Sequence, residues 1–407
     1  MNKKANVLFL TYDGMTEPLG QSQVLAYLKV LTEKGYSFDL ISHEKPGDFE
    51  AKKHHVEEII KGYDIRWHPM RYTKWPPVVS TVWDLIKGWF EIMRIARKHK
   101  IDIVHSRGYI IGNMSRATKC VYGAKMVFDM RGWWADEKIE SGLWNHPLYR
   151  PVYRYFKNLE TKMFKESDHS ISLTFVGSDE IERLALKEKE KVSVIPTCVD
   201  FEIFKPFDET VRQQTRTELN IPASSKVLLY SGSLGGNYNT SLLLELFKAL
   251  KNENADSYLL VISKSSHSHI EQELAKHGID KADVRTVESD HKHMYRYLMA
   301  GDYGVVNYSR TYSTIGRSPT KLGEYWACGL PVASLSKVGD LDLLINRYPE
   351  GGILIEDPEQ KYYQKAAREL LAMPISRAKL REYAIDYYDL LKGVETYAAI
   401  YDSLVKG

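Results

Sequence analysis

Short apolar runs alternate with longer segments of helical periodicity along most of the chain. Runs of the first series lie at residues 7–11, 38–42, 102–105, 125–129 and 169–173, with a helical stretch at 20–34. A second series lies at residues 228–232, 257–263, 283–287, 303–308, 331–335 and 352–356. Buried strands that alternate with helices predict parallel sheets covered on both faces, so two series predict two doubly wound α/β domains.

The boundary between the two series is predicted near residues 200–220, where Pro196, Pro206 and Pro222 interrupt polar sequence. The chain then ends on a segment whose apolar residues recur at helical spacing and must pack against something. These residues are Leu390, Leu391, Val394, Tyr397, Ile400, Tyr401 and Leu404. The pattern alone allows this helix to pack on either domain.

Composition narrows the class of protein. The chain has 407 residues, of which 43% are hydrophobic and 27% charged, which favours a large globular protein over a disordered one. Cys120, Cys198 and Cys328 are far apart, which argues against a disulfide framework or a zinc site and favours a reducing cytoplasm. No signal peptide is apparent, and no apolar run reaches the ~18–20 residues of a membrane span, so we expect no integral membrane protein.

Charge is distributed unevenly along the chain. The whole chain has a net charge of +3, whereas residues 51–150 hold 18 Lys and Arg against 10 Asp and Glu. A basic segment of this kind attracts an anionic lipid surface or a phosphate-bearing acceptor. Nucleic acid is not an expected partner, because the basic residues form no stripe that belongs to a known binding module.

Residues 318–332 are the most informative stretch. Ser318 is a suitable N-cap and Pro319 suits the first position of a helix, whose first-turn amides then form an anion site. Lys321 adds a cation to that site, and Glu324, one turn further on, can accept hydrogen bonds from sugar hydroxyls. An ordinary capped helix between two strands is the alternative interpretation.

The same stretch resembles the C-domain motif of glycosyltransferase family 4, Pro-x-Lys-x-x-Glu-Tyr-x-Ala-x-Gly-x-Pro-Val. Residues 195–206 resemble the inter-domain segment of that family, and residues 227–236 resemble its first C-domain strand and turn. The resemblance implies the GT-B fold, in which two Rossmann-like domains with doubly wound parallel sheets face a central cleft. It implies an acceptor domain at 1–205, a donor domain at 206–385 and a last helix, 386–407, that packs back on the acceptor domain.

The resemblance also implies the donor contacts. The diphosphate would bind at Ser318, Thr320 and Lys321, and the base near Val287 and Glu288. Ribose or sugar hydroxyls would bind at Glu324. Gly20, Ser231, Gly232, Ser233, Lys264 and Arg317 are further candidate donor contacts in this chain.

This chain departs from the family pattern in two places. Gly316 stands where an acidic residue is usual, and the turn at 231–237 lacks the usual Arg and Lys. The cations available to replace them are Lys264, Arg310, Arg317 and Lys321. The departures leave the identity of the donor open.

Two loops of the first domain are candidates for the acceptor site. The loop after the first strand contains Asp13, Gly20 and Gln21, at the carboxyl edge where α/β sheets bind ligands. The second loop follows the strand that ends at Asp129. Its candidate residues are Asp129 to orient an acceptor hydroxyl, Arg131 to neutralise a phosphate, and Trp133 and Trp134 to face sugar or lipid.

A structural interpretation of each candidate stays open. Arg131 and Asp129 could form an ion pair that braces the loop. The family often has a histidine in this loop; His105 beside Arg107 is the nearest candidate here and could also be structural.

Residues 75–98 predict an amphipathic helix. Its polar residues, Asp84, Lys87, Glu91, Arg94 and Lys98, fall along one face, and a wide apolar face covers the rest. A membrane contact is predicted through Trp83, Lys87, Trp89, Phe90 and Arg94. The alternative is a crossover helix that packs its apolar face on the sheet.

Together these features predict a retaining, metal-independent hexosyltransferase without a cofactor, peripheral at the cytoplasmic face of the membrane. It would transfer a sugar from a nucleoside-diphosphate sugar to a lipid-linked or polysaccharide acceptor in bacterial-type surface glycan biosynthesis. Glu324, Lys321, Asp129 and Arg131 are the candidate catalytic residues. The alternatives are another GT-B enzyme, such as a nucleotide-sugar epimerase or a sugar-phosphate synthase, or a degenerate scaffold of a polysaccharide-assembly complex.

Overall fold

The structure is a computed structural model that describes residues 4–76, 78–235 and 238–406. The chain divides into two compact units. The first contains the described residues up to Pro196 together with those from Leu390 onward, and the second contains Thr197–Asp389. Each unit is a parallel β-sheet with helices between successive strands, the Rossmann-like arrangement that the alternating pattern predicts.

The first unit has a seven-stranded sheet in the order β3-β2-β1-β4-β5-β6-β7, and all its paired strands are parallel. Its strands are β1 Ala5–Thr11, β2 Tyr36–Glu44, β3 Ile65–Arg71, β4 Ile103–Arg107, β5 Lys125–Asp129, β6 His169–Ser172 and β7 Val192–Val194. Its helices are α1 Pro18–Gly20, α2 Ala26–Glu33, α3 Pro46–Ile60, α4 Val79–Ala96, α5 Gly112–Tyr122, α6 Trp134–Glu140, α7 Arg150–Glu166, α8 Phe175–Arg183 and α17 Leu390–Lys406.

The second unit has a six-stranded parallel sheet in the order β10-β9-β8-β11-β12-β13. Its strands are β8 Lys226–Ser231, β9 Ser257–Ile262, β10 Val284–Val287, β11 Tyr303–Val306, β12 Val332–Leu335 and β13 Gly352–Ile355. Its helices are α9 Glu209–Glu218, α10 Thr240–Glu253, α11 His267–Lys276, α12 Met294–Ala300, α13 Thr320–Ala327, α14 Leu341–Arg347, α15 Gln360–Ala372 and α16 Arg377–Tyr388.

The sequence pattern does not predict two strands of the first sheet, β3 and β7. Both are edge strands, and most of their side chains are only partly buried, so neither forms a continuous apolar run. β3 also contains Pro69, which is tolerated because an edge strand needs hydrogen bonds on one side only.

The C-terminal helix α17 belongs to the first unit, where it contacts α2 and β4. Val394, Tyr397 and Tyr401 are buried, and the Tyr401 ring packs edge-on against Tyr36 at the start of β2. The same face places the hydroxyls of Tyr397 and Tyr401 beside Asp129 and His105.

Helix α4 has the amphipathic character that its sequence predicts, but its predicted polar face is only partly exposed to solvent. Asp84 is fully buried, where it accepts hydrogen bonds from the Tyr12 hydroxyl (3.1 Å) and the Thr73 amide (2.9 Å). Five apolar side chains are exposed instead, at positions that share one side of the helix. These residues, Val79, Val82, Trp83, Ile86 and Phe90, are called the α4 apolar stripe below.

The buried side of α4 consists of Ser80, Asp84, Gly88, Ile92 and Ile95. Trp89 is half-buried and lies near Tyr122 of α5, with ring centroids 6.4 Å apart. In the described part of the chain, no helix is both long and apolar enough to span a bilayer.

Candidate functional site

The register of the first sheet brings a polar cluster to its carboxyl edge. Thr11 at the end of β1 is paired with Arg107 at the end of β4, and Arg107 is paired with Asp129 at the end of β5. Parallel strands end at the same edge, so residues far apart in sequence become neighbours there. His105 lies two residues before Arg107 on the same face of the sheet.

Asp129 is the centre of this cluster. Its carboxylate accepts a hydrogen bond from the Tyr397 hydroxyl (3.1 Å) and lies 3.6 Å from both Arg107 Nη1 and Arg131 Nη1. Burial alone would raise the pKa of Asp129, but the charges of Arg131 and Arg107 and the adjacent His105 outweigh burial and hold that pKa well below its ordinary value. Asp129 is therefore ionised and gives the two guanidinium groups a fixed anion to pack against.

His105 lies behind this cluster, not in an open loop. Its Nδ1 is 2.7 Å from the Tyr401 hydroxyl, its Nε2 is 3.7 Å from Asp129, and its ring stacks on Phe9. Burial lowers the pKa of His105. A neutral, fully buried imidazole can orient Asp129, but it has no surface with which to touch an acceptor.

A small pocket of about 110 Å³ opens in front of the cluster. Four predicted acceptor residues, Asp13, Arg107, Arg131 and Trp134, line it together with Tyr12, Gly108, Tyr109 and Ile110. Asp13 is half exposed and lies 3.3 Å from the Arg107 guanidinium. The pocket wall therefore presents two guanidinium groups, one accessible carboxylate and three aromatic residues.

The prediction that both loop tryptophans face sugar or lipid was wrong for Trp133. That side chain is only 1% exposed; it packs near Phe164 and lies beneath the ammonium group of Lys157. Trp134 begins α6, and its ring packs edge-on against Phe156 and Trp144. Two adjacent residues at the start of a helix point in different directions, so Trp133 lies in the core and Trp134 lines the pocket.

The loop from Asp13 to Gly20 is held by Glu44, a residue that the sequence analysis missed. The Glu44 carboxylate is buried and accepts hydrogen bonds from the amides of Met15 (2.7 Å) and Thr16 (3.1 Å) and from the Thr16 hydroxyl (2.7 Å). Gly20 is buried against this loop, because a Cβ there would lie 2.1 Å from the Gly14 carbonyl oxygen. Glycine is thus required at position 20 by the loop itself, and Gln21 begins the following π-helical turn.

In the second unit, α13 begins at Thr320, with Pro319 at the cap position. Ser318 is therefore not the N-cap that the sequence predicts. Its hydroxyl accepts hydrogen bonds from the amide (3.2 Å) and the hydroxyl (3.1 Å) of Thr197. These bonds tie the segment before α13 to Thr197 and leave the cap without a side-chain acceptor.

Lys321 on the first turn of α13 is enclosed by aromatic rings. Its ammonium nitrogen is 4.2 Å from the Tyr230 ring centre and 4.1 Å from that of Tyr238, and it donates to the Tyr230 hydroxyl (3.1 Å). A Cβ at Gly232 would lie 2.9 Å from the same nitrogen. Burial lowers the pKa of Lys321 to about 7. The turn after β8 and the start of α13 therefore form one site around this lysine.

Other predicted donor residues lie around the same turn. Ser231 at the end of β8 is buried, and its amide and hydroxyl lie 2.9 and 3.0 Å from the Tyr325 hydroxyl. The Ser233 carbonyl accepts a hydrogen bond from Tyr230 (2.6 Å). Tyr325 is the residue after Glu324, so the turn and the helix are joined directly.

Glu324 lies one turn after Lys321, with its side chain 13% exposed, and its carboxylate is 3.7 Å from His291 Nε2. This contact raises the pKa of His291. His291 comes from the segment between β10 and α12, more than thirty residues away in sequence, and the sequence analysis missed it. The mostly buried Glu324 carboxylate therefore lies beside an imidazole that can carry a positive charge.

Across the residues that the structure describes, no three His, Cys, Asp or Glu side chains are grouped so that they could hold a metal ion. The charged groups at the two carboxyl edges are instead a lysine, guanidinium groups and isolated carboxylates.

The sequence matches two protein families, Glycosyltransferase Family 4 over residues 20–203 and Glycosyl transferases group 1 over residues 211–387. The chain belongs to the family 4-like glycosyltransferases of the GT-B fold. The two matches correspond to the two Rossmann-like units, which confirms the family resemblance and the fold class that the sequence predicts.

Among curated relatives, the D-inositol 3-phosphate glycosyltransferase of Segniliparus rotundus is 24% identical over 285 residues, which are 67% of this chain and 59% of the relative. A second relative of the same name, from Catenulispora acidiphila, is matched over 60% of its length, so the aligned region spans about three fifths of these proteins.

Solved structures show the same fold at lower identity. Sucrose-phosphate synthase from Thermosynechococcus elongatus has a TM-score of 0.75 at 16% identity, covering 98% of this chain and 99% of that one. Alr3699/HepE of Anabaena in complex with UDP-glucose has a TM-score of 0.71 at 13% identity, covering 98% and 100%.

The other cations that the sequence offers for the donor site are Arg310, Arg317 and Lys264. Arg310 is held by Asp357 (3.0 Å) and the Ser336 carbonyl (3.1 Å), and the Arg317 guanidinium lies over the Tyr308 ring at 5.1 Å. Lys264 is exposed after β9, and Val287 and Glu288 lie at the end of β10, the strand next to it. Gly236 and Asn237, the last residues of the turn at 231–237 that differs from the family pattern, lie outside the described residues.

Proposed function

We propose that this glycosyltransferase transfers a sugar from a nucleoside-diphosphate sugar, with retention of anomeric configuration, to a lipid-linked or polysaccharide acceptor at an anionic membrane surface. The observation that carries the proposal is the grouping of Lys321, Gly232 and Glu324, which puts a cation, a glycine turn and a carboxylate together at one sheet edge. The proposal is strengthened by the complexes of HepE with UDP and UDP-glucose, which has the same fold.

The donor diphosphate is proposed to bind at Lys321, the turn around Gly232 and the first amides of α13. An ammonium group shielded from water by Tyr230 and Tyr238 interacts more strongly with a phosphate than an exposed one does, because little water screens it. Glu324 then accepts hydrogen bonds from ribose or sugar hydroxyls. Lys264, Arg317, Ser318 and the β10 end remain candidates for the outer contacts.

The chemical step is proposed to be electrostatic. The bond from the anomeric carbon to the diphosphate oxygen breaks, the acceptor oxygen bonds to the same face of that carbon, and the acceptor proton passes to the departing diphosphate. Lys321 and the helix amides stabilise the negative charge that develops on the leaving group. On the first unit, Arg131 and Arg107, held by ionised Asp129, would contact the acceptor, and the Asp13 carboxylate would accept a hydrogen bond from its hydroxyl.

The membrane contact is proposed to use the α4 apolar stripe. Phe90 is 63% exposed and Trp83 is 55% exposed, and an apolar row of this length on a monomer surface marks an interaction site. Lys87 and Arg94 flank the row, although Lys87 pairs with Asp84 and Arg94 with Glu91. Trp133 takes no part, because it is buried.

The test is a screen of nucleoside-diphosphate sugars for binding by calorimetry and for transfer to lipid-linked and soluble glycan acceptors. Proton NMR of the new linkage reports whether the anomeric configuration is retained. Binding and transfer with retention are expected. Epimerised donor without transfer would indicate a nucleotide-sugar epimerase, a sugar-phosphate product would indicate a synthase, and no binding of any nucleotide diphosphate would indicate a scaffold.

A further inference from the structure

A second and larger pocket lies in the first unit, where β2 and β3 end and α4 begins, and encloses about 810 Å³. Its volume is in the range of small-molecule sites. Its charged lining residues are all cationic: Lys45, Arg71, Lys74 and Lys87. No carboxylate belongs to the described residues of its wall.

Two of the four cations have their charge matched by a nearby carboxylate. Lys45 lies 2.9 Å from Glu17, and Lys87 lies 2.8 Å from Asp84. Arg71 and Lys74 are exposed, and neither forms an ion pair with any residue that the structure describes. The pocket therefore has an excess of positive charge, and a guanidinium next to an ammonium group suits a phosphate or diphosphate.

One side of the pocket is lined by exposed apolar side chains. Trp75, 78% exposed, and Trp83 line it, and Trp83 is part of the α4 apolar stripe. A ligand that fills the pocket and extends over its edge would therefore meet cations first and an apolar surface next. A lipid phosphate has this order of groups, whereas a soluble phosphate would leave the tryptophans and the stripe in water.

The pocket adjoins the small pocket around Arg107 and Arg131. Tyr72 lines the larger pocket and Tyr12 the smaller one, and their rings meet edge-on with centroids 5.8 Å apart. Tyr12 also donates to Asp84 (3.1 Å), which pairs with Lys87 of the larger pocket. The two pockets are therefore neighbours, connected through the contact between Tyr12 and Tyr72.

We infer that the larger pocket binds the phosphate or diphosphate of a membrane-held acceptor lipid, so that the sugar attached to it reaches the pocket of Asp13, Arg107 and Arg131. This inference rests on the proposed function and selects a lipid-linked acceptor over a free polysaccharide. The lipid chain leaves the pocket past Trp75 and Trp83 and continues along the α4 apolar stripe. Arg71 and Lys74 are the side chains that recognise the phosphate.

The test compares three vesicles made of phosphatidylcholine: plain, with phosphatidylglycerol, and with a polyprenyl diphosphate at equal total charge. The intact wild-type protein should bind the polyprenyl diphosphate vesicles most tightly. The double variant Arg71→Glu with Lys74→Glu should lose about tenfold of that binding. The control, Lys189→Glu with Lys191→Glu, makes the same charge change beside β7 at the opposite edge of the sheet and should keep the preference.

Equal binding of the two charged vesicles by the wild type, or a preference that survives in the Arg71 and Lys74 variant, would overturn the inference. Binding of inorganic pyrophosphate that depends on Arg71 and Lys74, without any preference for the polyprenyl diphosphate vesicles, would assign the pocket to a soluble phosphate instead and would also overturn it. Calorimetry of nucleoside diphosphates on the same variants separates this inference from the proposed function. Donor binding without a lipid preference would refute the inference about the pocket alone. A lipid preference without donor binding would refute the proposed transferase function.

Discussion

Lys321 differs from an ordinary lysine in having two tyrosine rings and a tyrosine hydroxyl around its ammonium group. This environment gives the donor site one cation whose charge depends on pH near neutrality, since burial lowers its pKa to about 7. The sequence indicates Lys321 through its motif spacing, but not Tyr230 and Tyr238, because they are about ninety residues away in sequence.

We expect nucleoside-diphosphate binding to weaken as pH rises above about 7. Free Lys321 is then increasingly neutral, so binding an anion must first take up a proton, and the dissociation constant should rise by up to about tenfold per pH unit. Calorimetry at pH 8 in buffers of different ionisation enthalpy should detect that proton. Lys321→Arg, which stays charged, should bind with a flatter pH profile; an equal slope in both proteins would refute this role for Lys321.

Glu324 pairs with His291, so its replacement has two separate readouts. Glu324→Gln and Glu324→Ala should lower donor affinity or turnover by about 10- to 100-fold, because a hydrogen bond to a charged group contributes about 1.5–3 kcal/mol. NMR titration should show the pKa of His291 falling in both variants, since contact with Glu324 is what raises it.

Glu356→Gln is the control for Glu324, because Glu356 is an exposed carboxylate of the same unit that pairs only with Lys365 in the described contacts. It should change neither readout. Full transfer activity in Glu324→Ala would show that Glu324 does not contact the donor, even if the pKa of His291 falls.

At the scale of elements, helix α4 is the part of the fold whose orientation the sequence pattern does not determine. The alternation of strands and helices follows from burial on both sheet faces, and so the sequence predicts eleven of the thirteen strands. The orientation of α4 depends instead on Asp84, which is buried because Tyr12 and Thr73, from two other segments, provide its hydrogen bonds. Such partners come from other parts of the tertiary structure, which the hydrophobic periodicity of the helix does not predict.

We expect Val82→Ser with Phe90→Ser to reduce binding to anionic vesicles while changing the free energy of unfolding by less than about 0.5 kcal/mol per site. Both side chains are more than half exposed in the free protein, so serine removes little buried surface there and much at a membrane. Vesicle sedimentation at low and high salt measures the binding, which should weaken with salt but persist in the wild type.

Phe175→Ser with Leu184→Ser removes two exposed apolar side chains at α8 of the same unit and should leave vesicle binding unchanged. Equal loss in both double variants would mean that binding reflects general surface hydrophobicity. If the wild-type protein does not bind the vesicles at low salt, the proposed membrane contact of α4 is refuted.

At the scale of the whole molecule, each unit contributes a separate set of groups at the carboxyl edge of its own sheet. The second unit has the lysine and carboxylate of α13, and the first has the Arg107, Asp129 and Arg131 cluster. The sequence predicts the set on α13 through its motif spacing, and the set in the first unit through charged residues that follow recognisable strands. It misassigns Trp133 because adjacent tryptophans give no sign of which one is buried.

The last prediction concerns metal ions. Charge on a departing diphosphate must be balanced either by a bound divalent cation or by protein groups. The residues that the structure describes include no cluster of metal ligands, whereas Lys321 and the α13 amides lie together at the proposed donor site. Sugar transfer should therefore persist in excess chelator, and Lys321→Ala should lose it with or without added magnesium. Activity that disappears with chelator and returns with magnesium or manganese would mean that a metal ion, not Lys321, balances the leaving group.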